Sequence, residues 1–325
     1  MILCHVALRV AAVIALVLLG IPTLARATGV VTPAPVAWLV ALTPWVAAAC
    51  VVLLVLTLLM RSTLLAILAA VLCVVQIWWL APLYVADHHI TDSQVTADRA
   101  AGRVLTVMTL NLKYGSADPA TVVRVAKEHD VDVLALEELT TSAVSALRAA
   151  GLDTLLPHSF TRPTDTFTGT GLWSRAPLTD VRTLSGFTSE QLVSRVTLAG
   201  QTMTVAAVHP VAPGPTENSA WLREYATLVT DLDAITGPAV IAGDFNATRD
   251  QSPFRSVIAT GYVDGADQAG SGVHFTFPQQ GRLPPLVTID HVLSRARSLS
   301  AVALQVVPVP GTDHAALIVT YAPTS

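Results

Sequence analysis

Asp244 and Asn246, two positions apart in Gly243-Asp244-Phe245-Asn246, put a carboxylate and an amide on the same side of an extended turn. An acid there can orient or deprotonate water while the amide holds a phosphoryl oxygen. Related residue types stop other apolar runs: Asn111, Glu137-Glu138, His209, Asp290-His291 and Asp313-His314. Asp313-His314 adds an imidazole able to donate to a phosphate oxygen or a leaving group. Acids, amides and imidazoles are the groups that divalent cations and phosphate chemistry require, and strand ends are where sandwich and α/β folds present them. Each cluster alone also has a plain structural reading. Gly-Asp-Phe-Asn suits an Asx turn, Asn111 a turn cap, His209 a packed histidine, and Asp290 and Asp313 strand-end caps.

The elements that must carry these residues alternate. Apolar patterning predicts strands over 104–110 and 131–136 and helices over 119–129 and 141–150. A hairpin over 192–198 and 202–208 turns at Gly200. A helix over 217–235 is apolar at Trp221, Leu228, Leu232 and Ile235, and Val240-Ile241 leads into the Gly-Asp-Phe-Asn turn. Further strands are expected over 288–293, 301–307 and 315–321. Strands in both halves with helices between them imply two packed sheets covered by helices.

The first 85 residues contain no Asp or Glu. Apolar stretches over 6–25, 36–60 and 64–85 each approach the ~20 residues that span a bilayer core as helix, so three transmembrane helices are expected. Ala25-Arg26-Ala27 resembles a signal-peptidase site, but the two spans that follow favour a retained anchor. Two of Arg9, Arg26 and Arg61 fall on one side of the three spans. If that side is cytoplasmic, the chain after residue 85 emerges outside. Residues 86–102 read as a linker whose His88-His89 pair is solvated, and 103–325 as the soluble domain. Cys4, Cys50 and Cys73 all lie in the apolar part, leaving the soluble domain no internal disulfide.

Setting aside Arg9, Arg26 and Arg61 leaves 16 of the 19 basic residues against 23 acidic ones, a balance of −7, and the only lysines are Lys113 and Lys127. A chain that grips long duplex DNA presents a basic face, so this composition weighs against that partner and favours a small or lipid phosphoester.

The ordered series Leu110-Asn111, Asp132 to Glu138, Gly171 to Pro177, Val208-His209, Gly243 to Asn246, Ile289 to His291 and Asp313-His314 resembles the endonuclease/exonuclease/phosphatase superfamily, with the DNase I-like fold, over about 103–322. The resemblance implies a four-layered α/β sandwich that cleaves phosphodiesters or phosphomonoesters with Mg²⁺, or with Mn²⁺ or Ca²⁺. It makes Glu138 the principal metal ligand, with Asn111 and Asp313 beside the metal, although Glu137 stands where most relatives carry Gln. Asn111, His209 and Asn246 become phosphate contacts and Asp244 the residue that readies water. Asp290 orients His314, so that His209, Asp244, Asn246, Asp290 and His314 form the catalytic set. Lys113 replaces an acid of some relatives, which favours one metal, and His291 is expected to face away from the site.

The expectation is therefore a multi-pass membrane protein whose extracytoplasmic domain is a metal-dependent phosphoesterase. Its substrate is a nucleic acid, a phospholipid or a small phosphodiester, and the bilayer is its other partner; no protein partner is implied. A catalytically silent binding or sensing domain on the same anchor is the rival reading. A transporter subunit is disfavoured, because the spans offer little polarity beyond Thr43, Thr57 and Gln76.

Overall fold

Residues 2–87, 89–281, 284–295 and 298–324 are described by the computed structural model; His88 of the linker pair lies outside them. Four apolar helices come first: α1 (Ile2–Thr28), α2 (Ala34–Ala41), α3 (Thr43–Leu59) and α4 (Thr63–Leu80), followed by a 3-10 turn over Ala81–Tyr84. By length and composition, α1 and the run from α4 through Tyr84 can each cross a membrane. The stretch expected as one span over 36–60 is instead two helices meeting at 68°. Leu42 (φ −87°, ψ 19°) leaves helical geometry, and Pro44, in the first turn of α3, has no N–H to continue the ladder across it. Counted as one, the bent pair makes a third span. The stretch read as a linker contains a helix, α5 (Asp92–Ala100), because Thr91 and Gln94 close a capping box at its start.

The remaining elements are β1 (Leu105–Asn111), α6 (Pro119–Glu128), β2 (Val133–Glu137), α7 (Thr141–Ala149), α8 (Leu152–Leu155), β3 (His158–Arg162), β4 (Thr170–Ser174), β5 (Thr179–Leu184), β6 (Gln191–Leu198) and β7 (Gln201–Val208). They continue with α9 (Ser219–Asp233), β8 (Ala239–Asp244), α10 (Ser252–Ile258), β9 (Val263–Asp264), α11 (Gly265–Ala269), β10 (Asp290–Ser294), β11 (Leu299–Pro308) and β12 (Ala315–Pro323). One six-stranded sheet runs β11-β12-β1-β2-β4-β3 and the other β5-β6-β7-β8-β10-β9. The β1–β2 and β7–β8 pairs are parallel and the other pairs antiparallel. The β6–β7 hairpin turns on Ala199 and Gly200, both at positive φ, as a two-residue hairpin turn demands.

Alternation along the strands builds four layers. Leu105, Val107, Val133, Ala135, Val240 and Val292 face inward and form the core between the sheets. On the outside of the first sheet Met108, Leu110, Leu134 and Leu136 pack on Val122 and Val125 of α6 and Leu147 of α7. On the outside of the second, Ala206, Ile241 and Leu293 pack on Trp221 and Leu228 of α9 and Phe254 of α10, joined by Val31 from the segment between α1 and α2 and by Ala37 of α2. The same alternation, carried one step past the apolar core, brings Asn111, Glu137, Asp244 and Asp290 onto the inner faces at one end of the sandwich. There β1, β2, β7 and β8 finish and β10 and β12 begin.

Candidate active site

At that end a cleft of about 660 Å³ is lined by Asn111, Glu138, His209, Asp244, Asn246, Asp313 and His314, among others. Its floor crosses the two sheets. The Asn111 amide nitrogen donates to Glu138 Oε1 (3.1 Å) and to Asp244 Oδ2 (3.0 Å), so one side chain ties an acid of the first sheet to an acid of the second. The Asn111 amide oxygen accepts from the Lys113 N–H at 2.9 Å. Glu138 follows β2 at φ +53° and so leaves the strand, which turns its carboxylate up to the Tyr114 N–H (2.7 Å). Its neighbour Glu137 stays on the strand, fully buried, accepting from the Thr109 hydroxyl. Burial pushes the Glu137 carboxyl well above its ordinary pKa, and Asp290 and Asp244 push it the same way.

Asp244 is held by the turn that follows it. Its Oδ1 accepts from the Asn246 N–H (2.8 Å), and the Asn246 side chain donates to Pro210 O (3.0 Å). Gly243 is needed here, since a Cβ would lie 1.9 Å from Val208 O in the neighbouring parallel strand. Asp290 accepts from His314 Nδ1 at 3.0 Å, while His314 Nε2 stands 3.8 Å and His209 Nε2 3.7 Å from Asp244 Oδ2. The backbone reinforces this placement. Thr312 donates its hydroxyl to Asn111 O and accepts from the His314 N–H.

The two imidazoles differ in charge. Burial lowers the pKa of His314, but Asp290 and Asp244 outweigh it and push the value up to about 10, so the ring is an imidazolium at neutral pH. Burial also lowers the pKa of His209, where the pull of Asp244 is weaker and His314 repels, leaving a neutral ring. Among the described residues, the buried His209 Nδ1 has no hydrogen-bond partner. Burial raises the Asp244 carboxyl, with Asp290 adding to the effect and both histidines opposing it. Asp244, Asp290 and His314 offer donor atoms within 4.8 Å of one another, but the protonated His314 ring has no lone pair for a cation, so only the carboxylates of the cleft are open to one. Carboxylate oxygens without thiolates, such as those of Glu138 and Asp313 in this cleft, suit Mg²⁺ or Mn²⁺.

Asp313 lies on the rim with its carboxylate 3.3 Å from Lys113 Nζ. His291 points to the opposite face of β10, with Nδ1 on Asp264 (2.7 Å) and Nε2 on Ala247 O (3.0 Å). Arg175 pairs with Asp132 and serves the sheet. Some contributors escaped sequence reasoning. Glu224, buried on the apolar face of α9, accepts from the N–H groups of Thr188 and Val211 (both 2.8 Å) and fixes the loop after His209. An acid three residues after Trp221 on that apolar face was the available signal. Gln191 brackets the His209 backbone with two hydrogen bonds. Trp38 and Leu42, from α2 and its break, form part of the cleft wall.

A family model described as the Endonuclease/Exonuclease/phosphatase family matches residues 108–314. No curated protein matches the chain in sequence. Among solved structures, a humanized D. rerio TDP2 carrying 14 mutations is similar at 16% identity, with 67% of this chain and 99% of that one covered and a TM-score of 0.58. The endonuclease/exonuclease/phosphatase from Beutenbergia cavernae matches at 20% identity over 69% of this chain and 72% of its own, with a TM-score of 0.53. D. rerio TDP2 complexed with a single strand DNA product matches at 16% identity over 67% and 98%, with a TM-score of 0.55. At these identities the likeness is one of fold.

Proposed function

With the family match running through more than half of its length, the chain belongs to the Endonuclease/Exonuclease/phosphatase family, and we propose that it is a membrane-anchored, divalent-metal-dependent phosphoesterase that hydrolyses a phosphodiester or phosphomonoester by in-line attack of water. The observation that supports this most is the Asn111 amide between Glu138 and Asp244. It joins the acid assigned to the metal to the acid assigned to water, in the cleft that also holds His209 and His314.

Glu138 and Asp313 would hold the cation, with Asn111 orienting Glu138. When bound, Mg²⁺ neutralises charge on the phosphoryl oxygens. Asp244 takes a proton from water as the water oxygen bonds to phosphorus, a task that its raised pKa favours. The bond from phosphorus to the leaving oxygen breaks, and that oxygen takes a proton from the His314 imidazolium. Proton transfer from Asp244 to His314, 3.8 Å apart, restores the starting state. Asp290 holds the His314 ring by Nδ1 throughout. The neutral His209, through the Nε2 that faces Asp244, and Asn246 contact the phosphoryl oxygens.

The helices serve as the anchor. Arg26, at the end of α1, is ion-paired with Asp250 of the soluble domain, which leaves Arg9 and Arg61 as the basic residues towards the other end of the helices. The positive-inside tendency then puts that end in the cytoplasm and the catalytic domain outside it.

The test is hydrolysis of bis(p-nitrophenyl) phosphate and p-nitrophenyl phosphate by the purified full-length protein with Mg²⁺ or Mn²⁺, with EDTA as control. Metal-dependent release that EDTA stops is the expected result. Failure to turn over either ester at any metal concentration would overturn the reading and leave a silent binding domain.

A further inference from the structure

Resting on the phosphoesterase reading above, we infer that the substrate is a lipid phosphoester drawn from the bilayer, its phosphate on the polar floor of the cleft and its hydrocarbon chain against a wall built by the broken helix pair. The cleft is divided by chemistry. Its floor carries the acids, amides and imidazoles already described, whereas Trp38, Leu42, Val211, Phe277, Leu286 and Val287 form apolar walls. A phosphodiester linking two sugars would leave those walls uncovered.

The wall from α2 is fixed to the catalytic domain. Gln251 donates to Ala37 O (2.9 Å), Asn218 to Val31 O (2.7 Å), and the Trp45 indole N–H to Leu286 O (2.8 Å). Trp45 also stacks on Phe275 at 5.4 Å. Ala37 is fully buried in the core of α9 and α10, so α2 is as much a part of the domain as of the anchor.

Depth is set by the same residues. Trp38 and Trp45 flank the break at Leu42 and remain 48% and 42% exposed, the placement of indoles at a membrane–water boundary. Beyond the break α3 packs on α1 and α4 and leaves Val51, Val52, Val55, Leu56 and Leu59 exposed, so the apolar surface that begins at Leu42 continues along α3. Charge argues the same way. Among the described residues lining the cleft, Lys113 is the only Lys or Arg, and it is paired with Asp313. A nucleic acid strand would find no basic track on which to lay successive phosphates.

The experiment uses the full-length protein in nanodiscs with p-nitrophenyl alkyl phosphate diesters and alkyl phosphate monoesters of increasing chain length, kept below aggregation, beside a single-stranded oligonucleotide. Each methylene that reaches the wall should raise kcat/KM about fourfold until the wall is covered, the factor corresponding to one buried CH₂. Leu42→Gln and Trp38→Ala should each lower the octyl-to-methyl ratio of kcat/KM at least fivefold. That ratio does not depend on how much of a variant folds. A flat chain-length profile with measurable turnover of the methyl ester overturns this inference and spares the hydrolase reading, as does faster cleavage of the oligonucleotide than of any alkyl ester. Absence of all turnover overturns both.

Discussion

Two Asp–His pairs lie one residue out of step on β10 and do opposite work. Asp290 faces the space between the sheets and holds His314, whereas His291 faces the outer layer and pairs with Asp264. In the site that the first pair serves, Asp244→Asn or His314→Ala should lower kcat by ~10²–10⁴ while leaving the thermal melt in place, as expected for loss of a positioned acid or base. Retention of most metal-dependent activity in either variant would remove that residue from the mechanism. The second pair governs stability. Burial opposes charge on both groups, yet mutual attraction wins: His291 is raised and Asp264 lowered from its ordinary pKa. The His291 contribution is complete below ~6.5, the unfolded imidazole value, and is lost as pH rises through its raised folded value. The Asp264 contribution is complete above ~3.9 and is lost as pH falls through its lowered folded value. In Asp264→Asn burial of His291 is opposed only by the Ala247 carbonyl and Asp290, so its pKa falls from the native value and the variant should fall further behind the native protein in stability at about pH 5 than at about pH 7. Melting temperatures at the two pH values check the sign, and an unchanged difference between native and variant would refute it.

Elements explain which residues were legible. Asn111, Asp244 and Asp290 end or begin strands whose inward alternation is plain in the sequence, so their convergence follows once two sheets are stacked. His291 follows from the same period of two. The bend at Leu42 did not follow, because an unbroken apolar run hides it. Pro44 permits a helix start as readily as a kink, and the soluble domain decides the matter by holding Ala37 and Trp45 from residues more than two hundred positions away. Glu224 was missed for the same reason, since its partners come from two other loops. Removing it tests its role in the element. Glu224→Ala removes the acceptor of the part-buried Thr188 and Val211 N–H groups, and each such hydrogen bond to a charged group is worth ~1.5–3 kcal/mol. The melt should fall, and kcat/KM should fall with it as the loop after His209 loosens. Lost stability at full kcat/KM would show that α9 supports the fold without positioning the site. At β8, Gly243→Ala drives a Cβ into Val208 O and should part β7 from β8, which hydrogen exchange on the amides of those strands would report.

On the scale of the whole molecule, the N-terminal helices and the sandwich are joined through polar contacts that a hydrophobic pattern cannot encode. Arg26 Nε donates to Asp250 Oδ1 at 2.7 Å with both side chains nearly inaccessible, and its guanidinium lies 4.0 Å over Trp79. Arg249 reaches Trp79 O and Ser252 reaches Gly29 O, so the ends of α1 and α4 are both bonded to the segment that follows Asn246. Such a joint fixes the cleft relative to the apolar helices, which a flexible tether would not. Breaking the buried pair from one side leaves a charge without its partner and costs ~3–5 kcal/mol, more than most surface contacts together. Asp250→Ala should therefore lower the melt of the full-length protein in detergent and expose the segment between α1 and α2 to protease. It should also reduce hydrolysis of long-chain esters more than of short ones, because the joint positions the wall rather than the acids. Equal loss on short and long esters would mean that the joint acts through Asp244 and Asn246, and that anchor and chemistry are coupled through the turn they share.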